Sequence, residues 1–292
     1  MVTAVDPFTL GAVRHPWNVG FEWSLPAAAP TTLTAEQKAA IDRDGFVVLP
    51  DAVDEATLAS LTTELDRLEA KVEAALAGLD DERFDIAEAG AITFTLHAVL
   101  RSEAARAFSH HPTLVGAAVD LLGPDVDLYW DQAVYKKPEK PRRFPWHQDN
   151  GYTFCLPQHY VTCWVALTDA TLDNGCPWVL PGAHRSGTLL HHWVEPIGWE
   201  CVEDAPGAVP AEVHAGSIVL FSSLTPHLTG PNTTDAVRKA YIVQYAPHGI
   251  ETVQGDWQGG GPPTGTSPCT DPGRQYPVAR GGAPVGADDP GA

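Results

Sequence analysis

The second half of the chain constrains the fold most, because short strand-like segments follow one another there with turn residues between them. Each segment is rich in Val, Ile, Tyr, Trp and Thr, which favour strands, and is bounded by Pro, Gly, Asn or Asp. The segments are VDLYWDQAVYKKP, HYVTCWVALTDA, GCPWVLPGAH, TLLHHWVE, GSIVLFSSLTPHLTG and VRKAYIVQYAP. Short strands at this density predict a β-sandwich or a jelly-roll barrel.

Helical patterns precede the strands. The motif TAEQKAAIDRDG carries Thr34 and Gln37 at the spacing of a capping box. A longer helix should begin after Asp54, where leucines recur at three- and four-residue steps. A third helix is predicted in HPTLVGAAVDLLG. This order indicates a mainly β fold with flanking helices that pack on one face of the sheets.

The chain divides into three parts. Residues 1–33 are rich in Pro and Trp without periodicity and should form a packed, extended N-terminal arm. Residues 34–250 should form a single domain with a helical first part and a β core. Residues 251–292 contain 17 Gly or Pro among 42 positions, which predicts a C-terminal extension that is loop or partly disordered.

The acidic balance of the chain excludes several kinds of partner. The formal net charge is −19, whereas nucleic acids and anionic membranes require a basic surface. No run of about 18 apolar residues could span a membrane, and the N-terminus lacks the pattern of a signal peptide. The five cysteines form no C-x-x-C pair, which is typical of reduced thiols in a cytosolic protein. We therefore expect a cytoplasmic monomer or homodimer that acts on a small molecule, and the excess of arginine over lysine suggests a bacterium with a GC-rich genome.

Two histidines and an aspartate offer ligands for a metal. His147 and Asp149 form an H-x-D motif, and residues two apart on a strand point to the same face. His227 follows the strand-like segment GSIVLFSSL. Taken alone, H-x-D is more often a turn and a single histidine more often a cap or core residue. Together, two histidines and one carboxylate make the facial triad of non-haem Fe(II) oxygenases, which leaves three metal positions open.

Arg238 opens the next strand-like segment, eleven residues after His227. A turn between the two would place these residues on neighbouring strands. The planar donors and permanent charge of an arginine suit the carboxylate of a bidentate co-substrate better than a lysine does. An isolated arginine here would be a surface charge on a strand, but its combination with the three metal ligands favours a co-substrate site.

Other polar residues near these motifs have less defined roles. Basic residues precede the H-x-D motif and could attract an anionic small molecule or form a solvated loop: Lys136, Lys137, Lys140, Arg142 and Arg143. His184 lies in a loop segment and is predicted to be structural. The adjacent His191 and His192 should point to opposite sides of a strand, so we do not expect them to bind one metal jointly.

Three motifs together resemble the phytanoyl-CoA dioxygenase family: WHQDNGY, WVALTDATLDNGCPWVLPGAHRSG and PHLTGPNTTDAVRKAYIVQY. The resemblance covers about residues 35–250 and includes neither the arm nor the Gly/Pro-rich extension. It implies a single oxygenase domain with a double-stranded β-helix core, the jelly roll of cupin-like proteins. It also implies dependence on Fe(II), with 2-oxoglutarate and O2 as co-substrates.

The resemblance assigns roles to particular residues. It implies that His147, Asp149 and His227 hold Fe(II). It implies contacts with 2-oxoglutarate or its pocket for Arg238, Thr229, Trp164, Gln132 and His97. Among these, Arg238 would bind the far carboxylate of 2-oxoglutarate, assisted by Thr229. For His97 a simple packing role is the alternative.

The implied reaction is hydroxylation of an unactivated C–H bond of a small-molecule metabolite, with release of succinate and CO2. Related halogenases replace the carboxylate ligand by a small residue so that chloride can bind, whereas Asp149 is present here. Desaturation, epimerisation and ring closure remain open, and the residues do not identify the substrate. Two other functions use the same ligands. A metal-dependent cupin-type isomerase or hydrolase would leave Arg238 without a task, and the intact ligands argue against a non-catalytic metal-binding barrel.

Overall fold

The computed structural model describes residues 3–256 and 261–286. Within these ranges the α-helices are α1 (Ala35–Asp44), α2 (Glu55–Ala77), α3 (Glu103–Phe108), α4 (Pro112–Leu122) and α5 (Asp149–Tyr152). The strands are β1 (Phe46–Leu49), β2 (Arg83–Phe84), β3 (Ala87–Glu88), β4 (Ile92–Leu96), β5 (Val126–Lys136), β6 (Cys155–Leu156), β7 (Val161–Ala166), β8 (Pro177–Val179), β9 (His192–Val194), β10 (Gly198–Glu200), β11 (Val209–Pro210), β12 (Ile218–Ser222), β13 (His227–Thr229), β14 (Arg238–Pro247), β15 (Glu251–Gln254), β16 (Gly265–Pro268), β17 (Pro277–Arg280) and β18 (Ala283–Pro284).

The largest sheet is antiparallel and follows the order β1-β12-β7-β14-β5-β4-β3-β2, with β17 paired to β5 and β18 to β17. Strand β14 lies at its centre, and its Ile242 pairs with Gln132 of β5 on one side and Trp164 of β7 on the other. Residues opposite each other in antiparallel strands share a face of the sheet. The register therefore directs these three side chains to the same side.

The two faces of this sheet are covered differently. Cys163 and Val165 of β7 belong to the main core, together with Leu61 and Leu65 of α2. The intervening Trp164 belongs to a second cluster on the opposite face. This alternation follows from the two-residue period of a strand. One face of the sheet thus packs against the helices, and the other faces the interior of the barrel.

A small antiparallel sheet of order β11-β8-β13 completes the barrel. His147 extends it through an isolated antiparallel bridge to His227, with backbone hydrogen bonds of 2.9 Å in both directions. A cavity of about 460 Å³ is lined by residues from both sheets. The predicted jelly-roll core with flanking helices is confirmed.

Local sequence signals located the first helices correctly. Thr34 and Gln37 form both hydrogen bonds of the capping box, and Gly45 ends α1 in the left-handed conformation with φ 84°. Asp54 caps α2 through the backbone N–H of Thr57. The short helix α3, capped by Ser102, had no sequence prediction. No helix in the described ranges combines the length and the apolar character needed to cross a bilayer.

The predicted loop or disorder of the C-terminal extension is wrong for the four short strands β15 to β18 in its described part. Strand β15 pairs with β6 and β16, and β17 pairs with β5 at the edge of the large sheet. Tyr276, in the same extension, is buried, and its hydroxyl shares a 2.9 Å hydrogen bond with the hydroxyl of Ser109. Residues 257–260 and 287–292 lie outside the described residues. The division into arm, domain and extension stays a prediction.

Candidate active site

The structure brings His147, Asp149 and His227 together in the barrel. Oδ1 of Asp149 lies 3.8 Å from Nε2 of His147 and 3.7 Å from Nε2 of His227. The possible ligand atoms of the three residues all lie within 4.8 Å of one another. One ion placed between them could therefore contact two imidazole nitrogens and one carboxylate oxygen, the donor set that suits a non-haem iron.

Both histidines present the correct nitrogen for a metal. Nδ1 of His147 lies 2.9 Å from the carbonyl oxygen of Pro145, and Nδ1 of His227 lies 2.9 Å from that of Thr225. A carbonyl only accepts hydrogen bonds, so each Nδ1 carries the proton and each Nε2 keeps its lone pair. Burial, reinforced by the neighbouring His227, holds the pKa of His147 well below its usual range. This histidine is therefore neutral, as a metal ligand must be.

The backbone around the H-x-D motif is not the continuous strand that we expected. His147 forms only the isolated bridge, and Asp149 begins the one-turn helix α5. Gln148 between them is extended, with φ −104° and ψ 143°, so the two ligands still face the same side. The fully buried side chain of Gln148 holds this conformation by hydrogen bonds to backbone groups of Gly187, Leu224 and Leu189.

A chain of hydrogen bonds orients the aspartate. The hydroxyl of Thr162 donates to Oδ2 of Asp149 at 2.5 Å, and the side-chain amide of Gln244 donates to the same hydroxyl at 3.1 Å. Because Oδ2 is engaged in this way, Oδ1 is left facing the two histidines. Partners of this kind fix the direction of a ligand and tune its affinity for metal.

Arg238 is the second polar feature of the cavity. Its side chain lines the cavity but is only 1% exposed, and its guanidinium lies over the ring of Trp164, 5.2 Å from the centroid. No other residue in the described part of the chain accepts a hydrogen bond from its three nitrogens. Burial lowers the pKa of this guanidinium to about 9, which still leaves it protonated at neutral pH. A buried cation without a partner is costly, so the site is suited to an anionic ligand such as a carboxylate.

Arg238 and His227 do not lie on neighbouring strands, which corrects the sequence prediction. His227 begins β13 of the small sheet, and Arg238 begins β14 of the large sheet. The segment between them crosses from one sheet to the other. Both side chains nevertheless line the cavity, because the two sheets enclose it from opposite sides.

The remaining predicted co-substrate residues divide into two groups. Gln132, Trp164 and Thr229 line the cavity with Arg238 and the three possible metal ligands. His97 is not part of the described lining. Its ring instead packs edge-on against Trp130, and its Nδ1 lies 3.8 Å from Oδ1 of the buried Asp131. Trp130 does line the cavity, so His97 contributes to the wall only indirectly. The roles assigned to these four residues stay predictions.

His191 supports the cluster of possible metal ligands and is not part of it. Its Nε2 accepts a 2.9 Å hydrogen bond from the backbone N–H of Gln148, and its Nδ1 donates to the carbonyl of Leu189. Burial lowers its pKa to about 3. His192 is exposed, as the strand pattern predicted, and the buried His184 contacts the carbonyl of Asp42 outside the cavity.

Thr162 and Gln244 were missed by the analysis of the sequence. The available signal was the two-residue period of the strands. Thr162 lies two positions before Trp164 on β7, and Gln244 lies six positions after Arg238 on β14, so each shares a face with a residue that was singled out. Phe144 and Tyr152 also line the cavity, and both rings pack edge-on against that of His147.

Comparison with known proteins shows which protein family this chain is similar to. The family model described as Phytanoyl-CoA dioxygenase (PhyH) matches residues 41–240. The methylphosphonate hydroxylase of Gimesia maris is 26% identical over 230 residues, which cover 74% of this chain and 81% of the relative. A probable phytanoyl-CoA dioxygenase of Caenorhabditis elegans is 29% identical over 154 residues, which cover 48% of this chain. The aligned part spans about half, 49%, of that nematode protein.

A solved structure extends the similarity to three dimensions. The epimerase SnoN, in complex with Fe3+, α-ketoglutarate and nogalamycin RO, superposes with a TM-score of 0.61 and 25% identity. The match covers 87% of this chain and 95% of SnoN.

Proposed function

This chain belongs to the phytanoyl-CoA dioxygenase family of non-haem iron, 2-oxoglutarate-dependent oxygenases, and we propose that it hydroxylates an unactivated C–H bond of a small-molecule metabolite. The observation that carries the proposal is the pairing of two features in one cavity. The first is a cluster of two histidines and an aspartate with their free donor atoms converging. The second is the buried guanidinium of Arg238, which has no partner among the described residues.

The residues present fit both groups that the family uses. His147, Asp149 and His227 would hold the iron from one side and leave its other positions toward the cavity. Arg238 would receive the distal carboxylate of 2-oxoglutarate in a two-pronged hydrogen bond. Together with O2, iron and 2-oxoglutarate supply the oxidising power of the reaction and yield succinate and CO2. The protein's contribution is to bind, orient and exclude water.

The cavity walls suit such chemistry because they are largely apolar around the possible metal ligands. Aromatic side chains surround the possible metal ligands: Phe144, Tyr152, Tyr160, Trp164 and Phe221. A dry site strengthens the hydrogen bonds of Arg238 to an anion and suppresses side reactions. The rigid strands β5, β7 and β14 fix the substrate position relative to the ligands.

Hydroxylation is the outcome that the residues support best. Asp149 supplies a carboxylate where related halogenases have a small residue, so the ligand position that chloride takes in those enzymes would be filled here. The name of the Gimesia relative is that of a hydroxylase, whereas SnoN is an epimerase. A cupin-type isomerase or hydrolase would use the three ligands but not the buried arginine, and no observation favours it.

The proposal is tested by forming the complex without oxygen. Anaerobic protein is mixed with Fe(II) and 2-oxoglutarate, and the weak visible charge-transfer band of the chelate is recorded. Oxygen is then admitted and succinate is measured. We expect the wild type to give both signals. Arg238→Ala should weaken 2-oxoglutarate binding at least tenfold, because a charged hydrogen bond contributes about 1.5–3 kcal/mol.

Matched variants test the possible metal ligands and Arg238 separately. Asp149→Ala should lose iron, whereas His214→Ala should behave as wild type because His214 is a surface residue paired with Asp169. Arg238→Lys keeps the charge but loses the planar fork, so it should bind 2-oxoglutarate with intermediate affinity. The proposal is wrong if wild type gives no band and no succinate, or if Asp149→Ala and Arg238→Ala leave both unchanged.

A further inference from the structure

One wall of the cavity is built by elements that carry none of the possible metal ligands. Helix α2, the β2–β3 hairpin and strand β4 contribute apolar side chains to it. We call these residues the apolar wall: Val72, Leu76, Phe84, Ile86, Phe94 and Leu96. A ligand that reaches beyond the metal end of the cavity must therefore contact hydrocarbon surface.

The cavity has almost no capacity for a second anion. Arg238 is the sole Lys or Arg among the described residues that line it, and the proposed function already uses that side chain for 2-oxoglutarate. The remaining charges of the lining are Asp149 at the metal end and Asp85 on the β2–β3 hairpin. Burying a phosphate, sulfate or carboxylate against the apolar wall would leave its charge unpaired, which is strongly unfavourable.

The basic residues of segment 136–143 do not compensate for this lack. The Nζ of Lys136 is directed at backbone carbonyl oxygens, including those of Arg142 and Thr229 at 2.9 Å. The other four are paired with carboxylates: Lys137 with Glu69 at 2.7 Å, Lys140 with Glu82 at 3.0 Å, Arg142 with Glu88 at 2.8 Å and Arg143 with Glu200 at 2.5 Å. The segment is thus an ion-paired loop, exposed at Lys140, and not a cradle for an anion.

The β2–β3 hairpin places an apolar side chain and a negative charge at the rim of the cavity. Phe84 contributes to the apolar wall although it is itself 74% exposed, so it lies where the cavity meets solvent. Asp85 follows it at the tip of the hairpin. An approaching anion would meet this carboxylate and the general negative charge of the protein, whereas an apolar molecule would bury the ring of Phe84.

Building on the proposed function, we infer that the substrate is an uncharged organic molecule whose apolar part lies against the apolar wall. Molecules that would place an anionic group against the apolar wall are disfavoured, because Arg238 is the sole Lys or Arg of the described lining. This substrate class is inferred from the absence of a second cation among the described lining residues and from the hydrocarbon surface of six side chains from three elements.

The inference is tested with decanamide and decanoate, which differ in charge but hardly in shape, and with the much larger decanoyl-coenzyme A. Decanamide, decanoate and decanoyl-coenzyme A are titrated calorimetrically into anaerobic protein that holds Fe(II) and 2-oxoglutarate. The visible band is recorded first, so failure of the proposed function is seen before any probe is added. The titrations are repeated on metal-free protein with 2-oxoglutarate in excess, so that Arg238 stays occupied. We expect decanamide to bind at least tenfold more tightly than decanoate in both cases, and octanamide about tenfold more weakly than decanamide.

A matched pair of variants gives the sharpest control. Leu96 and Leu172 are similarly exposed, at 43% and 47%, but only Leu96 lines the cavity. Leu96→Arg should reverse the preference in favour of decanoate, and Leu172→Arg should leave it unchanged. The inference is overturned if wild-type protein binds decanoate or decanoyl-coenzyme A as tightly as decanamide. Absence of decanamide binding, or an unaltered preference in Leu96→Arg, would overturn it equally.

Discussion

The carboxylate of Asp149 has one oxygen near the two histidines and the other bound by Thr162. The hydroxyl of Thr162 can donate only one hydrogen bond, and its oxygen accepts a hydrogen bond from the side-chain amide of Gln244. Its donation toward Asp149 is therefore fixed. The direction of the Asp149 carboxylate is in this way determined by two residues outside the cluster of possible metal ligands.

Replacing Thr162 by Val removes the hydroxyl while keeping the branched shape. We expect Thr162→Val to lower the affinity for Fe(II) about ten- to a hundredfold, which is the usual effect of removing a partner of a metal ligand. Isothermal titration with Fe(II) under anaerobic conditions measures this. Thr162→Ser, which restores the donor, should recover most of the affinity. Equal affinities for the Val and Ser variants would show that the hydroxyl does not orient Asp149.

At the scale of elements, the N-terminal arm is attached to helix α4 by a single buried carboxylate. Asp120 accepts hydrogen bonds from the backbone N–H groups of Thr31, Thr32 and Leu33 at 2.7–2.8 Å. These residues directly precede the cap of α1. One side chain thus fixes the point at which the arm joins the helical layer.

Asp120→Asn should destabilise the protein by about 3 kcal/mol, because the amide cannot accept with both ends and leaves backbone donors unpaired. Urea unfolding followed by circular dichroism measures the free energy of unfolding. The control is Glu103→Gln, an exposed position in the first turn of α3, where we expect a change within about 0.5 kcal/mol. A similar small effect of both substitutions would contradict the attachment through Asp120.

For the molecule as a whole, buried histidines make stability dependent on pH. Burial lowers the pKa of His159 and His191 to about 3 and that of His184 to about 4. In the unfolded chain these histidines titrate near 6.5. Between these values the unfolded state binds more protons than the folded state. Stability is therefore complete above about pH 6.5 and is lost progressively as the pH falls toward 4.

We expect the free energy of unfolding to fall by roughly 1–4 kcal/mol per pH unit between pH 6 and 4, since each such histidine contributes up to about 1.4 kcal/mol per unit. Urea titrations at pH 7.5, 6.0 and 5.0 measure the slope. His159→Gln should reduce it, whereas substitution of the exposed His214 should not. Stability that stays constant or rises from pH 7.5 to 5.0 would contradict the prediction.

Local patterns in the sequence determined the helix caps, the strand-rich second half and the residues of the possible metal site. These features depend on neighbouring residues, as in the capping box of Thr34 and Gln37, or on residue types with restricted chemistry, as in His147 and Asp149. The family resemblance rested on the same short motifs, and the match over residues 41–240 confirms it.

Tertiary structure alone decided which distant segments meet. It placed His227 and Arg238 on different sheets, paired the Gly/Pro-rich extension with the barrel, and paired the basic residues after Lys136 with acidic ones. The contacts of the extension and of the basic residues join segments far apart in sequence. The free energy of such a contact comes from burial and hydrogen bonding that exist only when the whole barrel has closed, so no local sequence pattern predicts the contact.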